Sequence, residues 1–241
     1  MRITLVTDNP NSWIIPYVKK LQGLLARKNR AVAWVKRHED IEPGDLAFFL
    51  SCEKIVKPET LRLNKHNLVA HPSGLPRGRG WSPLSWQILE GKNRIPITLF
   101  EAAPHVDSGR IYLQDYLRFK GHELADELRQ QQGGKIIEMV LKFVRRYPKI
   151  PKIRGRRQTG RATYYPRRTA ADSELAMNKS LAAQFSLLRI VDNDRYPAFF
   201  RHRGRKYILK IYPVRDNGGK RSTTGRVKSI SNGVYKAENE R

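Results

Sequence analysis

The sequence predicts an α/β protein built on a mainly parallel sheet, and three observations carry that prediction. Short apolar runs recur at residues 2–7, 31–35, 46–50 and 67–71, each bounded by turn-forming residues. Residues 13–26 carry Trp13, Ile14, Tyr17, Val18, Leu21, Leu24 and Leu25 at helical spacing between the first two runs. The cores of the later runs, Leu46-Ala47-Phe48-Phe49-Leu50 and Leu68-Val69-Ala70, are apolar on both faces, as strands covered on both sides tend to be. Strands alternating with helical connections place a ligand site at the carboxyl ends of the strands.

Each element has its own local reason. The first strand stops at Asp8-Asn9-Pro10-Asn11, and Ser12 is available to cap the helix that follows. Ser82-Pro83 reads as a helix start and Gly91 as its stop. Residues 95–100 and 110–114 read as strands flanking Asp107-Ser108-Gly109. Residues 123–128 and 136–144 have helical spacing, with a break or kink expected at Gly133-Gly134 between them. Residues 181–191 read as a helix, and 198–200 and 207–212 as strands of a small second unit. The resulting division is a first domain over 1–146, a basic linker over 147–162, a small basic C-terminal α+β module over 163–213, and a disordered basic tail over 214–241.

Of the 241 residues, 47 are Lys or Arg and 22 are Asp or Glu, a formal charge of +25. Residues 1–140 hold 21 basic and 15 acidic side chains, and residues 141–241 hold 26 and 7, so the excess lies in the second half. Such a field attracts polyanions, whether nucleic acid or a phosphorylated metabolite. No apolar run reaches the ~18 residues of a membrane span, and the N-terminus lacks a signal-peptide pattern, so a cytoplasmic protein is expected. A single cysteine, Cys52, offers no disulfide framework and reads as a core residue. The six histidines show no ligand pair at helical or hairpin spacing beside carboxylates, so no metal is expected. No G-x-G-x-x-G follows the first strand, and NAD or ATP binding has no support.

The chemistry-bearing stretch runs from His71 through Ser73, Leu75-Pro76, Arg77-Gly78-Arg79-Gly80 and Ser82-Pro83, followed by Thr98 and by Asp107-Ser108-Gly109-Arg110-Ile111. His71 ends a buried strand, and an Asp beside a His can fix its tautomer and stabilise the imidazolium. Taken singly, these features are unremarkable: a strand-end His is more often structural, and Asp-Ser-Gly more often a plain turn.

Together, in this order and over about 45 residues, they resemble the 10-formyltetrahydrofolate-dependent formyltransferase family, which includes methionyl-tRNA formyltransferase and sugar N-formyltransferases. The resemblance implies a Rossmann-like catalytic domain and direct transfer of a formyl group to a primary amine, with 10-formyltetrahydrofolate as cosubstrate. It implies that His71 stabilises the oxyanion, that Asp107 orients His71 and helps remove the amine proton, and that Leu75, Pro76, Arg79, Gly80 and Gly109 shape the folate site. One position departs: the family's Asn two residues before the His is Val69 here. Ser73, or Asn67 on the same strand face, is a candidate replacement donor. A catalytically impaired, nucleic-acid-binding relative is the other reading of that departure.

Residues 163–173, 184–189 and 196–200 resemble the C-terminal module of formyltransferases of surface-sugar biosynthesis. This implies a nucleotide-linked amino sugar as substrate, with Tyr165, Arg167 and Arg168 in contact with it, and a homodimer. Formylation of initiator methionyl-tRNA is the rival, favoured by the basic second half.

Overall fold

The structure is a computed structural model, and it describes residues 1–27, 30–147 and 155–214. Met1–Ile211 forms one compact unit. Its centre is a six-stranded sheet made of β1 (Arg2–Val6), β2 (Ala31–Val35), β3 (Gly44–Phe49), β4 (Asn64–His71), β6 (Arg94–Glu101) and β7 (Ile111–Arg118). The spatial order is β2-β1-β3-β4-β6-β7. The first four strands run parallel, while β6 and β7 add on antiparallel beyond β4, with His71 opposite Thr98. The sheet is mostly parallel and Rossmann-like, as expected.

The period of two along each strand divides the side chains between two faces. Ile3, Leu5, Leu46, Phe48, Leu68, Ile97 and Leu99 form one core with α1 (Ile15–Ala26) and α4 (Ala125–Arg146). Val6, Ala47, Phe49 and Val69 turn the other way, against Ile41, Cys52, Val56 and Leu63. Among the described residues this second face carries no long helix; short elements and loops cover it, and they leave room for a cleft.

Several sequence expectations need correction. Ser12 does not cap α1, whose N-cap is Ile14 with no side-chain hydrogen bond. Ser82 does precede α3 (Pro83–Leu89), but in a left-handed conformation and without capping through its hydroxyl. The break at Gly133-Gly134 is absent: α4 runs through both glycines for 22 residues. The reason is packing, because a Cβ on Gly133 would enter the ring of Tyr17 on α1. The helix expected over 181–191 is shorter, α5 (Phe185–Ile190), preceded by a 3₁₀ turn.

The second half contributes a two-residue pairing, in which β8 (Tyr164–Tyr165) lies parallel to β5 (Arg79–Gly80). A hairpin of β9 (Ala198–His202) and β10 (Arg205–Leu209) follows. Arg203 and Gly204 both take positive φ, as a two-residue hairpin turn requires. Leu175, Leu188, Val191 and Ala198 form a small core there. Arg189 of α5 is 2% exposed. Its guanidinium donates to Asn93 Oδ1 at 2.9 Å and meets the buried Glu123 carboxylate at 3.4 Å, which joins the two halves of the chain through a buried ion pair. The tail expected to be disordered lies, beyond residue 214, outside the described residues. Among the described residues no helix is long and apolar enough to cross a membrane.

Two stability outcomes follow from this packing. Gly133→Val overpacks the α1–α4 contact and should lower unfolding free energy by about 1–3 kcal/mol, read from a denaturant midpoint. Arg189→Ala breaks the buried pair, leaving the Glu123 carboxylate to the Lys120 and Gly121 N–H groups, and should cost about 3 kcal/mol in the same measurement.

Candidate active site

A cleft of about 570 Å³ opens on the sheet face that carries Phe49, Val69, His71 and Phe100. The strand period explains this lining, since Val69 and His71 are two apart on β4 and Phe100 lies opposite Val69 on β6. Beyond His71 the chain folds back on itself. Ser73 N–H donates to His71 O at 2.8 Å, and the fully buried Thr98 hydroxyl donates to Ser73 O at 2.7 Å.

His71 is 7% exposed. Its Nε2 lies 2.7 Å from Gly78 O. A carbonyl can only accept, so Nε2 carries the proton. The expected hydrogen bond from His71 to Asp107 is therefore not formed. The carboxylate stands 3.7 Å from Nε2, outside hydrogen-bond range. Asp107 Oδ2 instead accepts the Gly80 N–H at 2.8 Å. Asp107 has φ +50°, a left-handed conformation that Asp tolerates better than most residues. Gly109 completes this turn because a Cβ there would run into the Glu101 carbonyl.

Two residues to which the sequence reading gave no site role hold this arrangement. Gln158 Nε2 donates to Asp107 O and Gly109 O, both at 2.8 Å, while its Oε1 accepts from the Arg79 guanidinium at 2.7 Å. Thr163 Oγ1 accepts the Gly78 N–H at 2.9 Å, and Thr163 O accepts the Arg79 N–H at 2.9 Å. The backbone of Arg156 exchanges two 2.9 Å bonds with Ile111. The described part of the expected linker is thus laced onto the two loops that carry the site. The β-branched and aromatic run Thr163-Tyr164-Tyr165 was the one sequence signal for this pairing.

The other expected site residues sort by placement. Gly80, Arg167 and Arg168 line the cleft with His71 and Asp107. Leu75 and Pro76 are buried behind its wall, and Arg79 is occupied by Gln158 and by the Tyr164 hydroxyl. Ser73 is 1% exposed, with its hydroxyl unpartnered and outside the cleft lining, so it does not supply the missing donor. Asn67 fails as well, because its amide donates to Leu61 O at 2.7 Å. Tyr165 stacks on Trp86 and donates its hydroxyl to Glu90 at 2.7 Å, away from the cleft. Both burial and that carboxylate hold the Tyr165 proton on well above the usual tyrosine range. Burial likewise pushes the Cys52 thiol up, reinforced by Asp8, which fits its reading as something other than a nucleophile.

Positive charge gathers along the cleft. Arg167 pairs with Glu53. Arg168 donates to Asp172 O at 2.8 Å, while its buried Nε has no partner. At the far end Arg129 meets Asp192 at 2.7 Å. Burial alone would raise the Asp192 carboxyl, but the N–H groups of Arg195 and Asp194 and the Arg129 guanidinium outweigh it and hold the group well below the usual carboxylate range. The Asp192 carboxylate stays ionised at neutral pH.

The formyl transferase family model matches residues 14–138, more than half of the chain. The protein belongs to the formyl transferase family. The fold agrees with solved members. A methionyl-tRNA formyltransferase from Clostridium thermocellum superposes with a TM-score of 0.75 at 20% identity, over 90% of this chain and 95% of that one. A 4-N formyltransferase from Francisella tularensis gives 0.66 at 18% identity, over 89% and 98%. HypX from Aquifex aeolicus, solved in complex with tetrahydrofolic acid, gives 0.71 at 16% identity, over 91% of this chain but 39% of HypX.

The lacing makes a structural outcome testable. Gln158→Ala removes both of its hydrogen bonds to the Asp107 turn and should speed amide exchange at residues 107–109 by about tenfold or more, since a net hydrogen bond contributes about 1 kcal/mol and two are lost. Exchange at β1 and β3 should be unchanged.

Proposed function

We propose that the protein transfers a formyl group from 10-formyltetrahydrofolate to the primary amine of a nucleotide-linked amino sugar. The observation that carries this reading is the meeting of His71 Nε2–H and the Asp107 carboxylate, 3.7 Å apart, at the wall of a cleft edged by Arg167 and Arg168. A tetrahydrofolate-bound structural relative supports a folate-type cosubstrate.

In this reading the neutral substrate amine attacks the formyl carbon as charge grows on the formyl oxygen. The His71 Nε2–H turns from Gly78 O to that oxygen, and Asp107 takes a proton from the amine; collapse of the tetrahedral adduct breaks the formyl carbon–N10 bond, and tetrahydrofolate leaves with that proton on its nitrogen. Gly80 keeps the carboxylate in place through its N–H. Val69 leaves the formyl oxygen one donor short of the family pattern, and His71 alone then carries the donor role. Arg168, half-buried with one N–H unpaired, is the group best suited to a diphosphate. The stretch 163–213 then serves the substrate side of the site.

A second reading, formylation of methionyl-tRNA, draws on the basic excess of residues 141–241. One assay distinguishes the two. Purified protein is given 10-formyltetrahydrofolate with either a panel of nucleotide-linked amino sugars or methionyl-tRNA, and formylated product is followed. The proposal expects sugar turnover that falls about 10²–10⁴-fold in His71→Ala. Turnover of tRNA alone would replace the substrate assignment, and no turnover of either would overturn formyl transfer. Val69→Asn should raise kcat, by up to about 10²-fold if the restored amide reaches the oxyanion.

A further inference from the structure

The carboxyl ends of three adjacent strands bring together a group that formyl transfer does not use. In the order β2-β1-β3, the residues just past each strand are His38, Asp8 and Cys52. Their ligand atoms all lie within 4.8 Å of one another. His38 Nε2 is 3.6 Å from Asp8 Oδ2, too long for a hydrogen bond. The His38 side chain is 9% exposed and that of Asp8 is 2% exposed. The buried Nε2 has no hydrogen-bond partner, although a carboxylate stands 3.6 Å from it and a thiol belongs to the same cluster. An orphaned imidazole nitrogen beside two further ligating groups has an evident use.

We propose that Asp8, His38 and Cys52 bind a divalent transition metal ion of the zinc class. Thiolate, imidazole and carboxylate form a ligand set that suits Zn²⁺. Bond lengths of ~2.0–2.3 Å at tetrahedral angles put ligand atoms about 3.3–3.6 Å apart, so the His38–Asp8 spacing already fits and Cys52 needs to shift by no more than roughly an ångström. Asp8 is oriented from behind. Its Oδ1 accepts the Glu53 N–H at 2.8 Å and its Oδ2 the Lys54 N–H at 2.8 Å, as outer-sphere donors commonly orient a ligating carboxylate. The His38 ring is held edge-on by Phe49, with centroids 5.7 Å apart.

Binding replaces the Cys52 S–H bond with a sulfur–metal bond and releases one proton to solvent, with no change of oxidation state. Three protein ligands leave a fourth position, and Cys52 already lines the cleft, so that position can take water. The ion would tie β1, β2 and β3 to the residue 51–56 segment that forms one cleft wall. None of this depends on which amine receives the formyl group.

Sequence spacing gave no warning, because the ligands stand 30 and 14 residues apart and meet only through strand order. The single cysteine makes the test direct. Full-length protein, stripped with a chelator, is titrated with Co²⁺ and its thiolate-to-cobalt charge-transfer absorption is followed. We expect one equivalent to bind with that band, Zn²⁺ to displace it, Cys52→Ser to abolish it, and His38→Gln to weaken binding by about tenfold or more. Without any substitution, one equivalent of Zn²⁺ should slow alkylation of Cys52 at least tenfold. Cobalt binding without the thiolate band, binding indifferent to His38→Gln, or an alkylation rate unchanged by Zn²⁺ would each overturn the site.

Discussion

The geometry at His71 rests on a strip of backbone that arrives from far along the chain. Residues 156–165 bond to the 78–81 loop on one side and to the 107–111 turn on the other, through Gln158, Thr163 and the β5–β8 pairing. Without that strip, the loops carrying the Gly78 carbonyl and the Asp107 carboxylate would keep their direct Gly80–Asp107 bond but lose the bracing on either side of it. A loop held by one hydrogen bond worth about 1 kcal/mol wanders; a loop held by several along its length does not. Both partners of His71 are placed in this way. The segment that composition marks as a linker is therefore the brace of the site.

That bracing explains the asymmetry of the sheet. The face covered by α1 and α4 is a close-packed core with a continuous apolar surface. The opposite face is left to loops, and only loops can bring backbone carbonyls and N–H groups up to a strand-end histidine. The cost is conformational: Asp107 and Ser82 both adopt left-handed backbone in these loops. Such strain persists where the surroundings over-determine it, and here the double role of Gln158 does so at Asp107.

Much of the scaffold was legible from residue pattern. The parallel strands, the position of His71 at the end of β4 and the turn carrying Asp107 all follow from apolar runs and turn chemistry, which are local. The details that set function are not local. Gly78 O as the partner of His71 depends on how a proline- and glycine-rich loop folds back, and nothing in its composition specifies that. Gln158 and Thr163 are ordinary polar residues in a basic stretch until tertiary pairing assigns them. Ser73 and Asn67 show the converse, since strand and loop proximity in sequence pointed to the cleft while their side chains turn into the protein. Gly133 was read as a helix breaker, but tertiary packing against Tyr17 overrides a propensity cost of only ~1 kcal/mol.

His71 carries its proton on Nε2 and donates it to a carbonyl fixed by the second half of the chain. Long-range proton–nitrogen NMR correlation of the histidine rings in the full-length protein tests it most directly. The account predicts that His71 at neutral pH shows a protonated, slowly exchanging Nε2, and that Thr163→Ala speeds that exchange while leaving the β1–β3 amides unchanged. A His71 ring protonated on Nδ1 alone, or an Nε2 proton indifferent to Thr163→Ala, would contradict it.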